Sequence, residues 1–292
     1  MSGRKTKRAL AIACLVGIFA IGFALFELHS NNQYYKEVAI KQAAAIAALG
    51  VPSTWTYQFR VDGTLAEAGS IGETTSPYFW LNSGGRMYLK NGIGMTMQGD
   101  AKMTDKWNLA YKLANPRDTD NGLHPQNLFR LVTRSKWTNF TQQLEFKINK
   151  LHLSNSPERN AWSGVLLFNR YQDGNNLYYI GVRDDGKLVA KAKKAGVYTT
   201  LAEKAYFPGT YNRDTNPTLL PLNQWMGMRS EVVTLPNQTV SLKLYIDQEN
   251  TGNWELALEV VDTDNPILNE GYAGIRTDYK DVEFDDFILK AI

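Results

Sequence analysis

The segment of residues 162–194 constrains the fold of this chain more than any other part. It contains three runs rich in aromatic and branched apolar residues, at 164–171, 177–183 and 187–193. The first two runs are separated by Gln-Asp-Gly-Asn-Asn, and the second and third by Asp-Asp-Gly. Asp-Gly and Asn accept the positive φ angles of tight turns, so both breaks are typical of β-hairpins. The segment therefore predicts three consecutive antiparallel strands.

Short strands separated by turns are predicted for the rest of the chain beyond residue 53. Several of them show the alternation of apolar and polar side chains that a half-buried strand requires. These further strands are expected at residues 55–61, 78–81, 129–133, 143–148, 225–233, 240–247, 255–261, 272–277 and 282–289. Evenly spaced strands of this kind are typical of an all-β sandwich or jelly roll. We therefore expect one all-β domain over residues 51–292.

The N-terminus has the pattern of a membrane anchor. Residues 1–8 contain four basic residues and no acid, and residues 9–26 form an uncharged run of 18 residues. At about 1.5 Å per residue, a helix of this length nearly spans a hydrocarbon core of roughly 30 Å. Basic flanks stay in the cytoplasm, so residues 1–8 are expected to be a cytoplasmic tail and the domain to be extracytoplasmic. The alternative is a cleaved signal peptide and a secreted protein, although the apolar core of such peptides is usually about 7–15 residues.

A helical stalk is predicted for residues 27–50, between the anchor and the domain. This stretch is rich in alanine, carries an apolar stripe of roughly helical spacing and ends at Gly-Val-Pro. Oligomerisation through the stripe is a second interpretation of the same pattern.

Charge and cysteine content exclude two kinds of site. The chain carries a formal charge of +3, and because the tail alone contributes +4, the rest of the chain is close to neutral. A nearly neutral domain offers no electrostatic basis for nucleic-acid binding. Cys14 is the only cysteine and lies in the expected anchor, so the outer domain has neither a disulfide nor a cysteine-based metal site.

Three groups of motifs resemble the concanavalin A-like jelly roll. The first is Gly-Val-Leu-Leu-Phe-Asn-Arg-Tyr-Gln-Asp at 164–173, with Asn-Leu-Tyr-Tyr at 176–179 and Val-Arg-Asp-Asp-Gly-Lys-Leu at 182–188. The others are Asn-Gln-Trp at 223–225 with Leu-Lys-Leu-Tyr-Ile-Asp at 242–247, and Gly-Tyr-Ala-Gly-Ile-Arg-Thr at 271–277. Their order resembles the laminin-G-like and exo-inulinase/levanase C-terminal-module branch over residues 125–292. The resemblance implies two curved antiparallel sheets, of which the concave one carries any glycan site.

Aromatic and basic side chains are available on the strands where the resemblance places that site. Aromatic rings suit the C–H faces of sugars, and Arg or Lys suits their hydroxyl or acidic groups. The expected ligand-binding residues are Arg130, Arg170, Tyr171, Tyr179, Lys191 and Lys193. The last two are two positions apart on one strand, so they share a face of the sheet. These residues favour a membrane-tethered carbohydrate-binding module with a polysaccharide or glycan partner; a solvated polar face with tyrosines in the core is the alternative.

Enzymes with this fold need additional catalytic residues. Laminarinase-type hydrolases of this fold carry the motif Glu-x-Asp-x-x-Glu. This sequence does not resemble them in that respect, because the motif does not occur in it. A lyase acting by β-elimination on a uronic-acid polymer needs groups that neutralise the substrate carboxylate and move protons. His124, Gln126, Arg130 and Tyr179 could supply this set, so a polysaccharide lyase is the alternative function. A non-catalytic adhesion module with a protein partner is a further alternative.

We expect a structural calcium ion and no organic cofactor. Related jelly rolls often hold calcium near the chain ends, which through the resemblance implicates Glu67 and Asp285. Asp118 and Asp120 offer a second possibility, because Ca²⁺ binds carboxylate oxygens and Asp-x-Asp-x-Gly at 118–122 resembles part of a calcium loop.

Overall fold

A computed structural model describes residues Thr54–Ile292, which belong to a single structural unit, Leu49–Ile292. The tail, anchor and stalk expected for residues 1–50 lie outside the described residues and stay predictions. Within residues 54–292, no helix combines the length and the apolar character needed to cross a membrane.

Sixteen strands and one α-helix make up the described part of the chain. In chain order they are β1 (Thr54–Tyr57), β2 (Gly63–Ala66), β3 (Phe79–Ser83), β4 (Arg86–Lys90), β5 (Ile93–Thr96), α1 (Lys106–Ala114), β6 (Leu128–Trp137), β7 (Phe140–Leu151), β8 (Gly164–Asp173), β9 (Asn176–Arg183), β10 (Lys187–Lys194), β11 (Val197–Ala205), β12 (Trp225–Thr234), β13 (Val240–Asp247), β14 (Glu255–Asp262), β15 (Gly271–Asp278) and β16 (Lys280–Ala291). A 3₁₀ turn at Pro125–Asn127 leads into β6.

These strands form two antiparallel sheets. The nine-stranded sheet has the order β14-β13-β12-β7-β16-β5-β4-β2, with β1 pairing to β16. The seven-stranded sheet has the order β11-β10-β9-β8-β15-β6-β3. The chain crosses between the sheets several times, for example from β6 to β7 and from β7 to β8. The all-β, two-sheet sandwich predicted from the sequence is confirmed.

The hydrophobic core lies between the two sheets, and β7 shows how the sequence produces it. Every second residue of β7 is buried, among them Leu144 and Phe146, while the residues between them are partly exposed. Leu131, Leu167 and Ile180 from the seven-stranded sheet belong to the same buried cluster. Alternation with a period of two therefore directs one face of each sheet into a shared core, as in other sandwiches.

The three strands predicted from residues 162–194 are confirmed as β8, β9 and β10, with bounds within two residues of the predicted runs. In the first turn, Asp173 Oδ1 accepts a hydrogen bond of 2.7 Å from the backbone N–H of Asn175. In the second turn, Gly186 adopts a φ of +76°. The side-chain acceptor and the left-handed glycine are the features that the turn chemistry required.

Four strands and the helix were not expected from the sequence. Strands β2, β4 and β5 have only four or five residues each, and β11 is exposed along most of its length. Helix α1 begins after Asp105, whose side chain accepts a hydrogen bond of 2.9 Å from the backbone N–H of Trp107. An N-cap of this kind satisfies a backbone donor that the first helical turn leaves unpaired.

Truncation of a core side chain on the seven-stranded sheet should destabilise the whole sandwich. The side chain of Leu167 is fully buried, so Leu167→Ala is expected to lower the free energy of unfolding by about 2–5 kcal/mol. Leu256→Ala on β14, where the side chain is 45% exposed, should change it by no more than about 0.5 kcal/mol. Urea unfolding followed by fluorescence measures both. Equal effects of the two substitutions would contradict the assignment of Leu167 to the core.

Candidate ligand-binding site

The outer face of the seven-stranded sheet, which points away from the nine-stranded sheet, carries its own apolar layer. Leu166, Phe168, Tyr179 and Val189 belong to a buried cluster separate from the main core. Each lies next in sequence to a residue that faces the main core, as alternation along a strand requires. Strand β8 is therefore buried on both faces over most of its length. This apolar layer supports the side chains that form the candidate site.

A pocket of about 200 Å³ opens on this outer face. Its lining consists of Asn82, Arg130, Phe168, Tyr171, Gly174, Leu177, Lys193, Tyr198 and Arg276. Of the residues predicted to bind ligand, Arg130, Tyr171 and Lys193 are part of this lining. Tyr179 lies directly beside it, with its ring 6.0 Å from that of Tyr198. All seven strands of the sheet contribute residues to the pocket, so it forms only when the sheet is complete.

Arg170 does not face the pocket, and its placement corrects the expectation that it binds ligand. A φ of +49° and a shift in register after Asn169 mark a β-bulge in β8 at this position. The bulge turns the guanidinium into the protein, where the side chain is fully buried. It donates hydrogen bonds of 2.7–3.1 Å to Thr138 O, Ile267 O, Asn139 Oδ1 and Thr234 Oγ1. Its role is therefore to hold together four segments of the chain.

The same bulge places Tyr171 on the outer face. Regular alternation after Leu166 and Phe168 would have put residue 170 there instead. The extra residue shifts the pattern by one, so Tyr171 packs in the outer apolar layer, with its ring 5.3 Å from that of Phe168. Arg170 and Tyr171 thus have different roles, although the sequence analysis grouped them together.

Two arginines from neighbouring strands, Arg130 and Arg276, stand side by side at the pocket. They are direct partners in the pairing of β6 with β15. Burial lowers the pKa of Arg276, but the charge and hydrogen bond of Asp278, 3.0 Å from Nε, together with Tyr179 and Tyr198, more than offset this effect and leave the pKa raised. The pKa of Arg130 is lowered by its burial and by the charge of Arg276. Among residues 54–292, the guanidinium of Arg130 makes only a long contact, 3.4 Å from Nη1 to Ser83 Oγ.

Lys191 and Lys193 extend the basic surface from the pocket along β10. Lys193 Nζ donates a hydrogen bond of 2.7 Å to Gly174 O and lies 4.7 Å from the centre of the Tyr198 ring. Lys191 Nζ lies 3.4 Å from the centre of the Trp162 ring. Cation–π contacts of this kind hold both ammonium groups against aromatic faces.

Tyr198, Arg276 and Trp162 belong to the site but were not named by sequence reasoning. Tyr198 lies on β11, a strand without a clear alternating pattern. Arg276 could have been found, since it lies four positions after Tyr272 on one strand and therefore shares its face. Trp162 precedes β8 in a loop, and no local pattern indicates that its ring would lie between Arg183 and Lys191.

The residues expected for a lyase are not brought together. Arg130 and Tyr179 lie at the pocket, but His124 and Gln126 are absent from its lining. Burial raises the pKa of Tyr179 to about 12, which favours the neutral phenol at neutral pH. A general base works best with a pKa near the operating pH, so Tyr179 is poorly suited to removing a proton.

His124 and Gln126 belong instead to a polar network between the segment before β6 and the start of β16. The ring of His124 stacks on that of His152 with centres 4.0 Å apart, and its Nδ1 lies 2.7 Å from Asp120 Oδ2. Gln126 is fully buried and donates a hydrogen bond of 3.0 Å to Asp281 Oδ1. Such paired and buried polar groups specify how the segments pack.

The carboxylates expected to bind calcium make hydrogen bonds within the protein, and the calcium ion stays a prediction. Glu67 Oε2 accepts hydrogen bonds from Tyr111 OH at 2.6 Å and from the backbone N–H of Gly85. Asp118 and Asp120 accept hydrogen bonds of 2.6 Å from the hydroxyls of Ser156 and Ser154, respectively. Among residues 54–292, no three His, Cys, Asp or Glu side chains are grouped so that they could hold a metal ion.

Removal of the Arg170 side chain should destabilise the fold without removing a ligand contact. In Arg170→Met, four acceptors lose their donor, so the free energy of unfolding should fall by about 2–5 kcal/mol. Arg229→Met, where the guanidinium stacks on Tyr245 and Trp254 on the other sheet, should cost no more than about 1 kcal/mol. Chemical denaturation measures both. A stable Arg170→Met variant that has lost ligand binding would show that the guanidinium faces the ligand.

No protein-family model matches the chain, and no curated protein sequence is similar to it. Solved structures with a similar fold include the carbohydrate-binding module CBM66 from Bacillus subtilis (TM-score 0.42, 13% identity, 82% of this chain and 96% of that one covered). The exoplasmic/lumenal domain of VIP36 with Ca²⁺ and Man3GlcNAc bound is also similar (TM-score 0.44, 10% identity, 74% of this chain and 87% of that one covered). A third similar structure is a β-1,3-1,4-glucanase derived from a mouse hindgut metagenome (TM-score 0.44, 11% identity, 82% of this chain and 99% of that one covered). At these identities and TM-scores, the similarities carry no conclusion about a ligand or a reaction.

Proposed function

We propose that this chain is a carbohydrate-binding protein whose ligand lies in the pocket on the outer face of the seven-stranded sheet. The observation that carries the proposal is the meeting of aromatic faces and basic side chains in one pocket of about 200 Å³. Pockets for drug-sized ligands have volumes of roughly 300–1,000 Å³. This smaller pocket suits one sugar unit, with the rest of a glycan lying over the surrounding sheet.

The chemistry of the lining supports a sugar as the ligand. The half-exposed ring of Tyr198 offers an apolar face for the C–H surface of a pyranose or furanose ring, and the largely buried ring of Tyr171 forms part of the same wall. Asn82, Arg130 and Lys193 offer donors to its hydroxyl oxygens. Apolar walls with a few polar groups at fixed positions are typical of small-molecule sites.

Binding is favoured over cleavage by the absence of acidic groups at the pocket. In the described part of the chain, neither Asp nor Glu is among the pocket-lining residues. Glycoside hydrolysis generally needs two carboxylates that flank the scissile bond. Elimination needs a base, and Tyr179, with a pKa of about 12, would be a weak candidate for that role.

The sandwich is further proposed to be a concanavalin A-like jelly roll. The order of the β8–β9–β10 hairpins and the two antiparallel sheets support this assignment. The laminin-G-like or exo-inulinase/levanase C-terminal-module branch stays a prediction from the sequence motifs.

Glycan binding can be tested by affinity electrophoresis of the full-length chain in gels that contain neutral or acidic polysaccharides. At least one polysaccharide should retard the protein without release of an unsaturated product that absorbs in the ultraviolet. Tyr198→Ala, at a ring 48% exposed, should weaken binding by about 3- to 10-fold, since it removes one stacking face. Tyr245→Ala on the other sheet is the matched control. Formation of unsaturated product would identify a lyase, and failure to bind any glycan would favour an adhesion module.

The glycan-binding domain is also proposed to be tethered to a membrane and to lie outside the cytoplasm. The uncharged run at 9–26, the basic residues before it and the alanine-rich stretch at 27–50 support this arrangement. A tether with a stalk would hold the pocket at a distance from the membrane surface, where it could reach a polysaccharide.

Membrane tethering predicts that the full-length chain stays in the membrane pellet after alkaline carbonate extraction. Deletion of residues 1–26 should release the protein, because the apolar run is lost. N-terminal sequencing of the chain in the pellet should still find residues 1–8. A soluble protein that has lost its first residues would instead indicate a cleaved signal peptide.

A further inference from the structure

The basic and acidic side chains on the outer face of the seven-stranded sheet are not balanced around the pocket. Arg276 and Arg183 are each paired with a carboxylate, those of Asp278 and Asp185 respectively. Arg130 and Lys193, by contrast, form no salt bridge with any carboxylate in residues 54–292. The pocket therefore has an excess of positive charge that the described protein does not neutralise.

The guanidinium of Arg130, on a partly exposed residue, is the more poorly hydrogen-bonded of the two unpaired basic groups. Its only hydrogen bond in the described part of the chain is the 3.4 Å contact with Ser83 Oγ, which leaves most of its donors unused. The pKa of Arg130 is lowered by burial and by its neighbour Arg276, so the charged form is disfavoured relative to a free arginine. A charge that is partly removed from water and lacks a counter-ion is costly, and an anion at this position would offset that cost.

The aromatic walls restrict what kind of anion fits. Tyr198, whose ring is 48% exposed, lines the pocket beside the buried Phe168 and Tyr171, so an inorganic ion alone would leave the Tyr198 ring uncovered. A ligand with an acidic group at one end and a C–H-rich ring beside it would satisfy the basic and apolar parts of the pocket together.

We infer that the sugar unit bound in this pocket is acidic, with a carboxylate or sulfate group placed against Arg130 and Lys193 and its ring against Tyr171 and Tyr198. This inference rests on the proposed function and deepens it by naming the class of glycan. Arg276, already held by Asp278, keeps its orientation and adds positive charge beside the site. The planar fork of Arg130 matches two oxygens of a carboxylate or sulfate, which gives the site a preference that a neutral sugar cannot satisfy.

The test compares four polysaccharides of matched length against the full-length chain in detergent. They are polygalacturonate, its methyl ester, dextran and dextran sulfate. Polygalacturonate or dextran sulfate should bind at least about tenfold more tightly than its neutral counterpart at physiological ionic strength, as expected for a charge-assisted contact. The two acidic probes distinguish a carboxylate site from a sulfate site.

Substitutions of the basic side chains test which of them contact the acidic group of the ligand. Arg130→Gln should weaken binding of the acidic probe by about 10- to 100-fold and that of a neutral probe much less, because glutamine loses the charge but keeps an N–H donor for a hydroxyl. Lys193→Gln, at a partly exposed side chain that tolerates substitution, should weaken it by about 3- to 10-fold and provides the test if Arg130→Gln does not fold. Arg229→Gln makes the same charge change on the other sheet and should have no effect.

The outcomes separate this inference from the proposed function. Equal binding of acidic and neutral probes would overturn the acidic ligand and leave glycan binding intact. Acidic binding that is equally weakened in Arg130→Gln, Lys193→Gln and Arg229→Gln would also overturn it, since it would reflect general charge attraction. Failure of every probe to bind would overturn both proposals.

Discussion

The inward guanidinium of Arg170 is the interaction on which the outer face of the seven-stranded sheet depends. By donating to four acceptors on other segments, it fixes the ends of β6, β7 and β12 relative to β8. The bulge that directs it inward also shifts the rest of β8 by one residue, so Tyr171 faces outward. The pocket wall is therefore a consequence of a buried hydrogen-bond network on the opposite face of the strand.

Arg170 and Arg130 illustrate opposite uses of the same side chain. Arg170 is fully buried, and it donates to two backbone carbonyls, an amide and a hydroxyl. Arg130 is partly exposed, lies beside another arginine and makes one long contact among residues 54–292. A donor group with a full set of acceptors stabilises a fold, whereas one without acceptors at a pocket marks a position where a ligand can supply them.

The sequence predicted the parts of the fold that have a strong local pattern. The runs at 164–171, 177–183 and 187–193 combine apolar strands with Asp-Gly turns, and β13 agrees with its predicted bounds of 240–247. Strand β11 was missed because most of its residues are exposed and only pairing with β10 makes it a strand. Arg130, Tyr171 and Lys193 were identified because aromatic and basic residues occurred on adjacent strands. Arg170 was misplaced because a bulge depends on tertiary hydrogen bonds that no local pattern reveals.

The lack of space for a side chain at Gly271 limits the substitutions that this chain can accept over evolutionary time. A Cβ atom at position 271 would lie 2.4 Å from the carbonyl carbon of Arg170 and 2.6 Å from its Cα. Both are backbone atoms, so a rotamer change cannot relieve the clash. Any residue with a side chain at 271 would require the backbone of β8 or β15 to shift at the bulge. Positions 170 and 271 should therefore co-vary among relatives of this protein, with glycine at 271 retained wherever the bulge persists.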